Sequence, residues 1–258
     1  VLYCIDNETR AEPEWARYWT KRIKDRAAEK GKEIKVTEMW DDWDLTAESH
    51  RQTFDHPEIY DFVDVSQNNH NKGQKHWDQF LYVRDYLEKV PRPMNTTKIY
   101  GADGNKFGHS DQDAIERFWR HLLGGGATVR FHRPDSGLGL SDKAVACLKA
   151  ARLLEAHVRL WHLDPGNRLL GDRKENEAYL ASQTGKAYAL FFPAGGKKGE
   201  RSVTLDLTGV GGTYTGHWVS IDEGNRMPGQ DTIEAGRVLR VTPPEEGNLI
   251  HVLTRVAE

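Results

Sequence analysis

Apolar and polar positions alternate in two distinct rhythms along the 258 residues. In the first 160 or so, short apolar runs end in polar residues and are separated by amphipathic stretches. Val1–Ile5 reads as a strand ending in Asp6-Asn7-Glu8. Trp15, Tyr18, Trp19, Arg22, Ile23 and Ala27 then recur at helical spacing from Pro13 to about Lys30, and Gly31 is a natural stop. Ile34–Thr37, Phe62–Ser66, Lys98–Tyr100 and Ala127–Phe131 are four further strand-like runs. Helical patterns stand between or after them: Trp77 to Leu87, stopped by Pro91; Ile115 to Leu122, stopped by three glycines; and Asp142 to about Leu160. Strands alternating with helices predict βα units around a parallel sheet, where functional residues gather at the strand ends.

The rhythm changes near Asp164-Pro165-Gly166. Tyr179–Ser182, Ala187–Phe192, Ser202–Leu207, Thr213–Ile221, Val238–Thr242 and Leu249–Arg255 are short strand-type runs punctuated by glycine, proline and acidic turns. Six strands at close spacing without helices predict an antiparallel β-sandwich over residues 165–258, expected to fold independently of residues 1–164.

Composition narrows the function classes. Charged residues make up 29% and the hydrophobic set 38%, a globular balance. A net charge of −3 supplies no global basic field for nucleic acid or an anionic membrane. No apolar run approaches the roughly 18 residues of a membrane helix. Two cysteines, Cys4 and Cys147, cannot build a disulfide framework or a zinc cluster, and no metal or cofactor is expected. The chain opens at Val1 inside an apolar run and without Met. The native chain is therefore expected to continue upstream, and its compartment is not legible from this end.

The strand ends carry the candidate chemistry. Glu8 beside Asn7 suits a general acid that protonates a leaving oxygen, or is a solvated carboxylate ahead of a helix. Glu38 ends the second run. Trp40 and Trp43 flank Asp41, Asp42 and Asp44; they are either indole platforms for sugar rings or core residues over a solvated turn. Gln67-Asn68-Asn69-His70 offers donors and acceptors for a hydroxyl-rich ligand, or a polar turn. Asp103 is a nucleophile or an Asp-Gly turn residue. His132 and Arg133 end the fifth run, where Arg133 clamps a carboxylate or makes a structural ion pair. There is no nucleophile elbow, phosphate loop or His-Glu-x-x-His motif.

Several of these runs resemble a known family. Tyr3-Cys4-Ile5-Asp6-Asn7-Glu8-Thr9 is similar to strand four of (β/α)8 retaining glycoside hydrolases, where an Asn-Glu pair carries the acid/base. Asp64–His70, Lys98–Asp103 and Arg130–Pro134 resemble the later strands of apiosidase-like barrels. Tyr188–Pro193 and Ser202–Leu207 resemble the collagen-binding-type β-sandwich domain that follows such barrels. The resemblance implies strands four to eight of a barrel over 1–164 and the sandwich over 165–258. It implies a two-carboxylate retaining mechanism on a carbohydrate substrate, with Glu8 as acid/base. Asp103 or Glu38 would be the second carboxylate, and Asn7, Trp40, Asn69, His70, His132 and Arg133 would bind substrate. It also implies an extracellular or periplasmic protein. The missing strands would come from an upstream segment or a second chain. The alternative is a carbohydrate-binding or scaffold protein with a degenerate barrel; carboxylates capped by Arg or Lys would favour it.

Overall fold

A computed structural model of the chain describes residues 2–102, 108–133, 137–195 and 201–256. They form two compact units. The first comprises residues 1–99 with 126–130, and the second 100–125 with 131–258.

In the first unit β1 (Leu2–Cys4) pairs in parallel with β2 (Lys35–Thr37), placing Cys4 opposite Thr37. β3 (Val63–Asp64) pairs in parallel with β4 (Met94–Ile99), and β5 (Thr128–Phe131) neighbours β4. Asp61 joins the two sheets. Its N–H donates to the Val36 carbonyl at 2.9 Å, and its carboxylate accepts the Val36 N–H at 2.8 Å. Helix α1 (Pro13–Glu29) follows β1, α2 (Glu48–Phe54) follows β2 and α3 (Gly73–Tyr86) follows β3. Strand β4 begins four residues before the apolar run that announces it. Its polar start is buried and satisfied internally: Asn95 donates to Asp64 at 3.0 Å and accepts from the Thr128 hydroxyl.

Helix α1 turns its aromatic stripe outward. Trp15, Tyr18 and Trp19, which recur at helical spacing, are 45%, 58% and 44% exposed, and the buried positions are Ala16 and Thr20. Two small side chains let the helix lie close to its neighbours on the opposite face. The aromatics are left packing on one another, with ring centres 5.3–6.4 Å apart.

The second unit holds an antiparallel seven-stranded sheet and a three-stranded one. The larger runs in the order β12 (Asn225–Arg226), β11 (Thr213–Ser220), β15 (Leu249–Arg255), β9 (Ala187–Phe192), β8 (Tyr179–Gln183) and β6 (Asp164–Pro165), with β13 (Asp231–Glu234) also on β11. The smaller is β14 (Val238–Val241), β10 (Val203–Asp206) and β7 (Leu170–Gly171). Tyr188, Leu190 and Phe192 of β9 share one buried cluster with Val203, Leu205, Tyr214 and Leu253. All six residues of β9 are buried because its other face is covered as well. Helix α4 (Asp111–Leu123), opened by a Ser110–Asp113 capping box, lays Trp119 on Phe191 at 6.0 Å. It also sets Arg120 over Tyr179 at 5.5 Å. Helix α5 (Asp142–Glu155) starts at a Ser141 cap and ends five residues before the predicted Leu160.

The unit therefore includes two helices that precede residue 165, and a large indole is sealed beneath one of them. Trp119→Ala should destabilise the second unit by about 3–5 kcal/mol, the range for a fully buried large aromatic. Chemical denaturation followed by circular dichroism measures it. A loss under about 1 kcal/mol would show that α4 is peripheral to this core.

Candidate active site

The ends of β1 and β2 are laced together. Past the ladder, the Ile5 N–H donates to the Thr37 carbonyl at 3.0 Å and the Thr9 N–H to the Met39 carbonyl at 2.8 Å. Residues 5–8 bulge between these points, and Glu8 adopts φ +56°, a left-handed backbone that a non-glycine residue rarely takes. The bulge turns Asn7 and Glu8 toward Lys98 of β4. The Lys98 ammonium donates to Asn7 Oδ1 at 2.9 Å and forms an ion pair with Glu8.

Glu38 sits at the end of β2 with 1% of its surface exposed. Its Oε1 accepts the N–H groups of Asp6 and Met39, each at 3.1 Å. Its Oε2 has no hydrogen-bond partner among the described residues. Burial is the dominant influence, and with the nearby Asp6 charge it pushes the carboxyl up to about 7, against the pull of the two N–H groups.

Sequence reasoning passed over two residues here. Asp64, buried at the end of β3, accepts from the Ser66 N–H at 2.8 Å and from Asn95 at 3.0 Å. Burial raises its carboxyl to about 6, although Ser66 and the Lys98 charge pull it down. Lys98 was visible only as part of a strand. The signal for both was an ionisable residue near the end of a parallel strand, where an ion so little exposed needs a partner.

Other predicted site residues are placed differently. Trp40 is 6% exposed and its indole N–H donates to the Thr53 hydroxyl at 2.9 Å, so it is a core residue and not a sugar platform. Trp43 is the exposed indole, at 51%, with the Lys75 ammonium 4.2 Å from its ring centre. Residues Ser66–His70 form a 3-10 turn in which Gln67, Asn68 and Asn69 are buried. Gln67 donates to the Asp41 carboxylate at 3.2 Å, while Asn68 donates to the His76 carbonyl at 2.9 Å and Asn69 to the Lys98 carbonyl, so the two asparagines hold the backbone. His76 of α3 is buried as well. His70 is exposed. His132 and Arg133 belong to the second unit: His132 lies 5.0 Å from the Tyr100 ring, and Arg133 is exposed. Asp103 lies outside the described residues. Among the described residues no three His, Cys, Asp or Glu side chains are placed to hold a metal ion, and no helix is long and apolar enough to cross a membrane.

The first unit thus brings Asn7, Glu8, Lys98 and Asp64 into one electrostatic group, with Glu38 beside it at the end of β2. It can hold protons near neutrality. Its buried carboxyls cost stability once ionised. The folded Glu38 carboxyl binds its proton more tightly than the unfolded one, so stability is full below about pH 4.5 and is lost as pH rises through about 7. Glu38→Gln keeps an acceptor for both N–H groups without the charge. At pH 8 it should stabilise the first unit by roughly 3 kcal/mol, at about 1.4 kcal/mol per pH unit, and at pH 4 it should be close to neutral. Denaturation midpoints at the two pH values test this, and equal effects at both would exclude a buried, proton-binding Glu38.

No family model matches the chain, and neither does any curated protein. Solved structures do. A structure described as a glycoside hydrolase aligns with a TM-score of 0.71 at 12% identity, over 100% of this chain and 65% of its own. A glycoside hydrolase family 5 protein from Bacteroides vulgatus aligns with a TM-score of 0.68 at 14% identity, over 98% of this chain and 61% of its own. The chain therefore spans less than two thirds of the length of each. It shares their mixed α/β fold.

Proposed function

We propose that the chain is the later part of a retaining glycoside hydrolase acting on a polysaccharide or its side chains. In this reading the first unit carries strands four to eight of an apiosidase-like (β/α)8 barrel, and the two sheets of the second are the accessory β-sandwich. The observation that carries it is the Asn7-Glu8 bulge at a strand end, beside a buried Glu38 that binds a proton near neutrality, in a chain sharing the fold of glycoside hydrolases. Glu8 is the acid/base. Glu38 is too enclosed to attack a sugar, so it tunes the charge around Glu8, and the second carboxylate is the Asp103 that the family resemblance implies. Glu8→Gln in the complete protein should lower turnover of natural polysaccharide about 10²–10⁴-fold, and turnover of activated aryl glycosides by less.

A second reading has its own support. Lys98 occupies the Glu8 carboxylate and the Asn7 amide, as in a binding protein whose acid has been silenced. Polysaccharide turnover left unchanged by Glu8→Gln would take Glu8 out of the chemistry. A complete protein that retains polysaccharide affinity with no turnover would establish the second reading.

The barrel reading also needs cover for β1 and α1. β1 pairs only with β2 among the described strands, and Leu2 and Tyr3 are exposed. A cavity of about 700 Å³ runs between Tyr3, Trp19, Ile23 and Ile34. Further strands and their helices, from an upstream segment or a second chain, would fill it and cover the α1 aromatics. Replacing Tyr18 and Trp19 together by Glu should leave this chain's stability nearly unchanged. It should cost the complete protein several kcal/mol, as burying two aromatic surfaces is worth about 1.5–3 kcal/mol each. Equal effects in both would leave the aromatic face uncovered and remove this support.

A further inference from the structure

The second unit contains a cluster of basic side chains that no reading above uses. Arg226 of β12, His217 of β11 and His157, just past the end of α5, converge from three elements. The Arg226 guanidinium donates to His217 Nδ1 at 2.7 Å, and the rings of His157 and His217 lie 4.8 Å apart. His217 is buried, His157 half-buried and Arg226 exposed, so the cluster opens to solvent at the guanidinium.

Three features are unusual together. Arg226 makes no ion pair among the described residues, where other Lys, Arg and His side chains, such as Arg240 with Asp172 and Arg120 with Glu116, do. One of its donors is spent on a neutral imidazole nitrogen that fixes its direction, which leaves the rest of the five-donor fork available. Both imidazoles are disfavoured as cations, first by burial and then by the Arg226 charge. The charged and titratable groups around His217 are Arg226, His157, His251 and Asp231. The one carboxylate, Asp231, lies 3.3 Å from His251.

We propose that Arg226, oriented by His217 and flanked by His157, is a binding site for a single oxyanionic group: a carboxylate, sulfate or phosphate. The planar fork matches two oxygens of such a group, and His157 adds a donor beside it. The group belongs either to an acidic sugar of a larger carbohydrate or to a free inorganic anion.

The test uses the full chain at constant ionic strength, titrated with sodium sulfate, inorganic phosphate and trigalacturonic acid. Amide shifts of His157, His217 and Arg226 are the readout. At least one probe should give a saturable shift at these residues. Arg226→Met should weaken it about tenfold or more, the loss of one charge-assisted hydrogen-bond partner. His157→Ala should weaken it less, and Arg240→Met, which removes an arginine paired with Asp172, should leave it unchanged. Circular dichroism confirms that each variant is folded. Saturation by trigalacturonic acid at lower concentration than by the inorganic anions identifies an acidic sugar; the reverse order identifies a free anion, and either supports the site. Absence of a saturable shift with all three probes overturns it, as does a shift that survives both Arg226→Met and His157→Ala.

Discussion

The candidate site depends on the cost of placing carboxyl groups where water cannot reach them. Glu38 and Asp64 stand at the ends of two successive strands of the first unit, β2 and β3, and both are almost completely enclosed. A buried carboxylate is tolerated when backbone N–H groups, amides or a cation meet it. Asp64 has all three, from Ser66, Asn95 and the field of Lys98. Among the described residues Glu38 has only the two N–H groups on one oxygen. The arrangement around them follows from this need. Asn95 is buried inside a strand to serve Asp64, and Gln67, Asn68 and Asn69 are buried to hold the turn that brings Ser66 into place.

Lys98 ties the second half of that arrangement to the first. It reaches across about 90 residues of chain to meet Asn7 and Glu8. The contact also explains why Glu8 accepts a left-handed backbone: an ion pair and an amide contact offset a strain of order 1 kcal/mol. The same cation fixes where the Glu8 carboxylate lies, whichever of the two functional readings holds.

The second unit is organised by layers rather than by charge. β9 is sealed on one face by the cluster shared between the two sheets and on the other by Trp119 and Tyr179. Its uninterrupted apolar run is the sequence signature of a strand covered on both sides. The basic group of Arg226 and His217 lies at the β11–β12 edge of the seven-stranded sheet, where His157 meets it from the end of α5.

Much of the local structure was legible in the sequence alone. The stops at Gly31 and at the three glycines, the strand-like composition of the second half and the Asn-Glu pair at a strand end depend on neighbours close in the chain. Periodicity and capping chemistry report such neighbours directly. Burial was not legible. Trp40 and Trp43 stand three residues apart in one acidic loop, yet one is core and the other exposed, because Thr53 lies over the first. The α1 aromatics have core spacing and no core to enter. The polar run Gln67-Asn68-Asn69 looks like a surface turn and is buried, since its partners come from residues 41, 76 and 98. Glu38 reads as an ordinary carboxylate until its solvent is removed. Each of these outcomes was decided by the tertiary structure, because burial and ion pairing depend on residues far away in the chain, which no local pattern encodes.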